Sequence, residues 1–360
     1  MNQNFYVYKP LLKAVLFLLS SILGIQILAS YNEVVNVLYP KFYGALYPVY
    51  TKVLGWVPFS VGDFLYLAFI IYFIVNLYIA IRCFLLNQQW RGIRFIARII
   101  WIVTLAYIAF HVLWGLNYRR SDLIEVYQVE PYQTSELKEM AEDLLQKSKE
   151  NRLRVEEDKH GVFSFEITDF YKEIPSRLNQ KNEIPFYKTP KKAKKKYSLF
   201  SWFMRYFGVS GYYNPFTAEA QITYMTPSVS MPFTMAHEQA HQMGYAPEFE
   251  ANYIGYLTCV ESNNSAINYS GQYKALKYVL RAIYPQDSVF VHKILDQYSD
   301  GMKRDYRAER EFYDKYDGRA DRIFSQMNHL YLKSNHQDQG VRSYNQFVDL
   351  LVHYYREKNK

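Results

Sequence analysis

The chain has 360 residues, half of them hydrophobic, and carries a formal net charge of +8. This length accommodates one large domain or two smaller ones. The positive charge is modest and widely spread, so the composition argues against a nucleic acid as partner.

Three apolar stretches dominate the first third of the sequence: Leu11–Ser30, Phe64–Leu86 and Ile99–Leu116. Each is close to the roughly 20 residues that a helix needs to cross a bilayer, and each contains almost no charge. No small-x-small cleavage site follows the first stretch and two more spans come after it, which disfavours a cleavable signal peptide. We therefore predict a membrane domain of three transmembrane helices over residues 1–120, with the lipid bilayer as its partner.

Positively charged residues flank these predicted spans unevenly. Lys9 and Lys13 precede the first span, and the connection between the second and third is predicted to carry four arginines: Arg82, Arg91, Arg94 and Arg98. Because cytoplasmic flanks are enriched in Lys and Arg, the N-terminus and this connection are expected in the cytoplasm. Three crossings then place residues 121–360 outside the cytoplasm, although Arg119 and Arg120, just after the third span, weigh the other way.

Three further features of this part have no assigned chemistry. Tyr31–Gly62 contains "YPKFYGALYPVYTKVLGWVPFS", whose aromatics and prolines suit a re-entrant or interfacial hairpin on the outer membrane face. His111 lies inside the third span and is expected to be a packed histidine rather than a proton relay. Cys83 and Cys259 lie in different parts of the chain, so a disulfide between them is not expected.

From Ser121 the sequence has the pattern of a globular domain that extends to residue 360. The stretch "TSELKEMAEDLLQKSKENRL" (134–153) predicts a helix with Thr134 or Ser135 as N-cap and an apolar face of Leu137, Met140, Leu144 and Leu145. Further helices are predicted at Tyr273–Ile283, Ser288–Tyr298, Arg307–Leu332 and in the closing stretch "SYNQFVDLLVHYYREK".

Two other segments of this domain are interpreted from their pattern. "AQITYMTP" (220–227) alternates like a strand, and such a strand edge beside a site would hold an extended substrate by backbone pairing. The basic run at 190–197, "PKKAKKKY", is interpreted as a solvated loop, with contact to anionic lipid headgroups as the alternative.

The stretch "TMAHEQAHQMGYAPEFEAN" (234–252) contains the motif that carries chemistry. On a helix, positions i and i+4 project from one face, so His237 and His241 can both turn a ring nitrogen toward one metal ion. Glu238 is offset by one residue, which places its carboxylate beside the metal as a general base for water. The HExxH spacing thus predicts a zinc site, and its uncharged flanks are typical of a helix inside a protein.

A catalytic zinc needs a third protein ligand, and two glutamates follow the motif. Gly244 can adopt a left-handed conformation that ends the helix, and Pro247 suits the first turn of a second one. Glu248 is favoured as the ligand because Asn252, four residues later, can hydrogen-bond a ligand histidine and orient it. Glu250 is the alternative, and the glutamate that does not bind zinc would stabilise the helix N-terminus.

"HEQAH" followed by "EFEAN" resembles the gluzincin branch of zinc metallopeptidases, in which a ligand glutamate opens a second helix after HExxH. The resemblance implies His237, His241 and Glu248 as zinc ligands and Glu238 as the base, with Asn252 where that branch usually carries Asp. With its three spans, "SGYYNPFTAEAQ" and "GVRSY", the chain resembles an uncharacterised family of bacterial membrane-anchored zincin-like proteins. This implies a mainly α fold in the bacterial inner membrane, with three transmembrane helices before an α+β zincin-like metallopeptidase domain that has a small sheet.

The sequence therefore predicts a membrane-anchored zinc metallopeptidase that hydrolyses a peptide or protein substrate, with Glu238 carrying the proton from water to the leaving amine. The alternative is a catalytically inactive zinc-binding membrane protein that acts as a sensor or assembly factor. A transporter or channel is disfavoured because the spans contain no charged pairs.

An oxyanion stabiliser from outside the motif is also expected. The candidates are Tyr224, His329, His336, Arg342 and Tyr344. Glu219, next to the predicted strand, is given a structural role rather than a catalytic one.

Overall fold

The computed structural model describes residues 3–165, 196–224, 226–335 and 344–358 of the chain. Over these residues the protein is mainly helical and contains one small sheet, as the mainly α part of the predicted fold class requires. Of the predicted basic run, residues 190–195 lie outside the described residues.

Three helices are long and apolar enough to cross a membrane, as predicted: Val7–Ser30 within α1 (Gln3–Ser30), α3 (Val61–Leu85) and α4 (Gln89–Leu113). Helices α1 and α3 both pack against α4. The rings of Phe17 and Trp101, for example, stack with centroids 4.4 Å apart. Most large apolar side chains of the three helices are exposed, which is what lipid-facing surfaces require.

The predicted start of the third span at Ile99 is wrong, because α4 already begins at Gln89. Of the four arginines that were expected in the connection, Arg82 lies in the last turn of α3, and Arg91, Arg94 and Arg98 lie on the first three turns of α4. The guanidinium carbons of Arg91 and Arg94 lie 5.2 and 4.7 Å from the ring centroid of Trp90, so aromatic contacts hold the charged side chains along the helix. The apolar stretch alone therefore did not show where this helix begins.

The segment predicted as a membrane hairpin is helical over most of its length instead: a short π-helix, Val34–Leu38, leads directly into α2 (Tyr39–Leu54). Its tyrosines Tyr39, Tyr43 and Tyr47 recur at helical spacing and are buried on one face. The hydroxyl of Tyr43 donates to the backbone carbonyl of Gln242 at 2.8 Å and lies 2.9 Å from the hydroxyl of Tyr213. Helix α2 thus packs onto the segment that contains the HExxH motif.

We expect Tyr43→Phe to lower the free energy of unfolding by about 1–2 kcal/mol, since it leaves the buried carbonyl of Gln242 without this donor. The measurement is the midpoint of thermal unfolding in detergent micelles. Tyr31→Phe removes an exposed hydroxyl and serves as the control. Equal midpoints for both variants would show that this contact contributes nothing to stability.

The helix predicted after residue 133 is confirmed as α6 (Thr134–Arg152), with its four predicted apolar residues buried. Its N-cap is Gln133 rather than Thr134 or Ser135, and the Gln133 N–H donates to the Glu136 carboxylate at 2.8 Å. Helix α6 packs against a long helix, α10 (Ser265–Ile283).

Apart from the two helices that carry the motif, the other described α-helices are α5 (Leu123–Tyr127), α7 (Ser201–Met204), α11 (Ser288–Asp296), α12 (Asp300–Tyr316), α13 (Arg319–Ser334) and α14 (Tyr344–Lys358). The single helix predicted at Arg307–Leu332 is wrong, because Asp317 and Gly318 adopt extended conformations and separate α12 from α13. An Asp-Gly pair is a common turn signal, and the prediction overlooked it.

The sheet has the order β1 (Lys196–Tyr197), β3 (Glu219–Ile222), β2 (Gly211–Asn214), with β1 parallel and β2 antiparallel to β3. Glu219 accepts hydrogen bonds from the backbone N–H groups of Val61 and Gly62 at 3.1 and 2.6 Å, and it pairs with the buried Lys196. Its predicted structural role is confirmed, since it fastens the sheet to the first turn of α3. Lys196, the described end of the basic run, is a buried ion-pair partner and not part of a solvated loop.

Candidate metal centre

Two consecutive helices carry the motif: α8 (Met231–Gln242), with the HEQAH stretch, and α9 (Glu248–Val260). Most of their residues are buried, in line with the uncharged flanks of the motif. Gly244 has a φ of +105°, which confirms its predicted role in ending α8. Pro247 is the N-cap residue of α9. The chain therefore reverses direction and presents the start of α9 to the last turns of α8.

This reversal brings together His237, His241 and Glu248. One carboxylate oxygen of Glu248 lies 3.4 Å from Nε2 of His237, and the other lies 3.7 Å from Nε2 of His241. One ligand atom from each residue can be chosen so that all three lie within 4.8 Å of one another. Two imidazole nitrogens and a carboxylate at this separation could hold a single metal ion.

The other ring nitrogen of each histidine faces an acceptor. Nδ1 of His237 lies 3.0 Å from Oδ1 of Asn252, so the predicted contact with Asn252 is confirmed. Nδ1 of His241 lies 2.8 Å from the backbone carbonyl of Tyr245. Both Nδ1 atoms therefore donate, and in a neutral ring Nε2 is left with its lone pair toward Glu248. Acceptors of this kind are what usually fix metal-binding histidines.

The electrostatics of the cluster favour an ionised carboxylate. Burial opposes the charge of Glu248, but its hydrogen bond to His237 and the attraction of both imidazoles hold its pKa at about 2. Burial likewise opposes protonation of His237, yet Glu248 raises the pKa of this histidine above its usual value. Burial and the neighbouring His237 lower the pKa of His241 to about 4. The cluster thus combines an ionised carboxylate with two imidazoles, of which His237 is protonated more readily than His241.

Glu238 lies beside the cluster and is nearly fully buried. Its Oε2 atom has no hydrogen-bond partner among the described residues. Burial raises the pKa of its carboxyl to about 8. Strand β2 packs closely on it, since a Cβ atom at Gly211 would lie 2.8 Å from Cγ of Glu238. A buried carboxyl group with an unpartnered oxygen next to candidate ligands is an arrangement suited to proton transfer.

The second candidate glutamate, Glu250, takes part in a different interaction. It forms a buried ion pair with Arg120, whose side chain is 1% exposed, and it accepts a 2.9 Å hydrogen bond from the N–H of Leu123. The structure therefore brings Glu248, and not Glu250, to the two histidines. Glu250 lies in the first turn of α9, as the predicted role as N-terminal stabiliser requires, and Arg120 supplies its counter-charge.

A cleft of about 420 Å³ opens over the cluster. Of the predicted oxyanion stabilisers, Tyr224 and His329 do not line it, His336 and Arg342 lie outside the described residues, and Tyr344 is the first residue of α14. The cleft is lined instead by tyrosines that the sequence did not single out: Tyr118, Tyr212, Tyr213, Tyr278, Tyr313 and Tyr331. With 36 tyrosines in the chain, the sequence offered no signal that separates these from the others.

Strand β2 forms one wall of the cleft. The Thr223 N–H donates to the Ser210 carbonyl at 2.9 Å, and bonded pairs alternate along an antiparallel ladder. The backbone groups of Gly211 and Tyr213 therefore point away from β3, toward an edge that no described strand covers. The strand predicted at 220–227 was expected to supply such an edge. That prediction is wrong, because β3 is the central strand and is paired on both sides.

Comparison with known proteins gives one match. Residues 38–352 match a family model described as "Protein of unknown function (DUF3810)". No curated protein and no solved structure matches the chain. The matched range begins at the residue before α2 and ends within α14, so it contains the second and third long apolar helices, the sheet and the whole cluster.

Proposed function

Because the chain belongs to the DUF3810 family, described only as proteins of unknown function, we propose its function from the site itself: a membrane-anchored, zinc-dependent metallopeptidase. The observation that carries the proposal is the convergence of His237, His241 and Glu248 beside the buried, unpartnered carboxylate oxygen of Glu238. On this proposal the cleft-bearing part faces away from the cytoplasm of a bacterial cell.

The donor set fits zinc. Two imidazole Nε2 atoms and one carboxylate are ligands that zinc prefers, and three protein ligands leave a position open for chemistry. The acceptors at both Nδ1 atoms hold His237 and His241 in the orientation that exposes Nε2. When bound, zinc supplies Lewis acidity, which makes water a better nucleophile near neutral pH and polarises a carbonyl.

The protein's own residues supply the proton transfer and the alignment. Glu238 takes a proton from the attacking water as the new C–O bond forms, and it gives that proton to the amine nitrogen as the C–N bond breaks. A substrate in extended conformation pairs with the outer backbone groups of Gly211 and Tyr213 on β2. Each of these groups lines the same cleft as Glu238.

Tyr118 and Tyr331 are proposed to stabilise the oxyanion. Both line the cleft, and their hydroxyl oxygens lie 3.4 Å apart. Burial, with a smaller contribution from the charge of Glu248, raises the pKa of both hydroxyls, so each remains protonated and able to donate. Donors aimed at the developing negative charge are what such a reaction needs.

The test of the proposal is metal analysis of the purified protein followed by a cleavage screen with unstructured peptides. We expect one zinc ion per chain in the wild type and loss of that zinc in His241→Ala, which removes a ligand. His292→Ala, on the exposed side of α11, is the matched control and should retain the metal. Wild-type protein without stoichiometric zinc would refute both the peptidase and the zinc-binding sensor or assembly factor.

Asn252→Ala is expected to lower zinc affinity about 10- to 100-fold, because His237 loses the acceptor that orients it. Asn252→Asp restores an acceptor oxygen at the same position and should recover most of the affinity. Competition with a chelator of known zinc affinity measures the change, with the exposed Asn263→Ala as control. Unchanged affinity in Asn252→Ala would show that this contact does not support a metal ligand.

A further inference from the structure

The cleft lies next to the end of a spanning helix, although the motif is far from that helix in sequence. Trp114 directly follows α4, lines the cleft and packs edge-on against His241, with ring centroids 6.1 Å apart. Tyr118, a few residues further on, lines the cleft as well. The residues that directly follow the spanning helix α4 therefore form part of the wall of the cleft.

The length of α4 puts this wall at the edge of the hydrocarbon layer. Its 25 residues span about 37 Å at 1.5 Å per residue, and the hydrocarbon core of a bilayer is about 30 Å thick. Arg91, Arg94 and Arg98 on the first three turns keep that end of α4 at the opposite bilayer surface, so Phe110, one turn before the other end, lies at or inside the boundary of the hydrocarbon. The ring of Phe110 contacts that of Tyr331 at 6.5 Å between centroids, and Tyr331 lines the cleft.

A second wall of the cleft is fixed to the same membrane face. Helices α3 and α4 form a hairpin with a short connection, so the start of α3 and the end of α4 lie on one side of the bilayer. The hydroxyl of Tyr212, on the cleft-lining strand β2, donates to Asp63 in the first turn of α3. The next residue, Phe64, is exposed on the outside of the spanning helix. Strand β2 thus sits directly above lipid-facing residues.

Helix α13 carries an apolar stripe beside the cleft. Ile323, Met327 and Leu330 follow i, i+4, i+7 spacing, and they are 57%, 63% and 66% exposed. Phe324 and Tyr331, on the adjoining face of the same helix, line the cleft. Exposed apolar side chains at this spacing are typical of a helix that lies in a membrane interface. The contact between Tyr331 and Phe110 makes this stripe continuous with the lipid-facing surface of α4.

From these contacts we infer that α13 lies in the bilayer surface with its apolar stripe in lipid, and that the cleft opens at that surface. The substrate is then a polypeptide anchored in the same membrane, cut in a segment close to the bilayer. The position of α13 stands on the contacts alone, whereas the statement about substrate rests on the proposed peptidase function.

The position of α13 is tested without reference to activity. A single cysteine at Met327 or Leu330, in full-length protein with Cys83 and Cys259 replaced by alanine, is labelled with a fluorophore and reconstituted into phosphatidylethanolamine–phosphatidylglycerol vesicles. Lipids that carry a bromine or spin-label quencher in their acyl chains should quench both labels strongly. Ser325→Cys, on the polar side of α13, is the matched control and should be quenched little. Equally weak quenching at all three positions would overturn the inference. Such a result would also be obtained if a second copy of the protein, and not lipid, covered the stripe.

The substrate class is tested with two versions of one unstructured peptide library in the same vesicles. One version carries a single apolar membrane helix, and the other is free in solution. Confinement to the same membrane should accelerate cleavage of the anchored version about 100-fold, through its higher effective concentration at the cleft. Equal rates for both versions overturn the substrate class while the peptidase stands. Cleavage of neither, in protein that contains zinc, overturns the peptidase and leaves the lipid-quenching result to decide the position of α13.

Discussion

Glu238→Gln is expected to abolish peptide hydrolysis and to leave zinc bound. The amide cannot accept a proton from water, and loss of a positioned general base costs about 10²- to 10⁴-fold in rate. The metal is retained because the proposed ligands are His237, His241 and Glu248, with Glu238 offset from them by its place on α8. The measurement pairs single-turnover cleavage of an unstructured peptide with zinc analysis of the same sample.

Glu142→Gln is the matched control for this variant. It makes the same carboxylate-to-amide change at an exposed position of α6 and should leave both readouts unchanged. Glu238→Gln that cleaves at the wild-type rate would exclude Glu238 as the base. If neither wild type nor variant cleaves any peptide while both hold zinc, the inactive sensor or assembly factor becomes the better account of the site.

Substitutions of the two glutamates at the start of α9, Glu248 and Glu250, are expected to have opposite effects on zinc binding and on stability. Glu248→Ala should lose stoichiometric zinc with little change in thermal stability, because its carboxylate is partly exposed and lies against the two histidines. Glu250→Ala should lower the free energy of unfolding by about 3–5 kcal/mol, since it leaves the buried charge of Arg120 uncompensated. The thermal midpoint in detergent then falls by roughly 10 °C.

A double variant separates the ion pair from the rest of the Glu250 environment. Replacing Arg120 and Glu250 together by leucine removes both buried charges, so it should recover most of the stability that Glu250→Ala loses. A residual loss is expected because the Leu123 N–H also donates to Glu250. If Glu250→Ala lost zinc at unchanged stability, and Glu248→Ala did not, the two glutamates would have to exchange their proposed roles.

The local part of the site could be predicted from the sequence. The spacing of His237 and His241, the left-handed Gly244 and the contact of Asn252 with His237 all follow from helix and turn geometry within one short stretch. The same local reasoning favoured Glu248 over Glu250 as the ligand. It did not show that Glu250 pairs with Arg120 instead. Helical periodicity located α6, and the length of the nearly uncharged apolar runs located the three apolar helices.

The long-range part could not be predicted. The burial of Tyr43 against α8, the counter-charge that Arg120 gives to Glu250, and the contact of Tyr331 with Phe110 each join residues far apart in sequence. A strand's place in a sheet is likewise a property of its neighbours, so the pattern at 220–227 indicated a strand but not that it would be central. Composition cannot supply such information, because many tyrosines and arginines in the chain would fit the same pattern.

The ion pair between Arg120 and Glu250 joins the segment just after the third apolar helix to the start of α9. The guanidinium of Arg120 lies 5.2 Å from the ring centroid of Tyr245, whose carbonyl in turn holds His241. A polypeptide that begins at Ser121 would lack Arg120, Trp114 and all of α2, and so several of the supports of the cluster. The surroundings of the cluster are therefore complete only when the segments before Ser121 have packed against the rest of the chain.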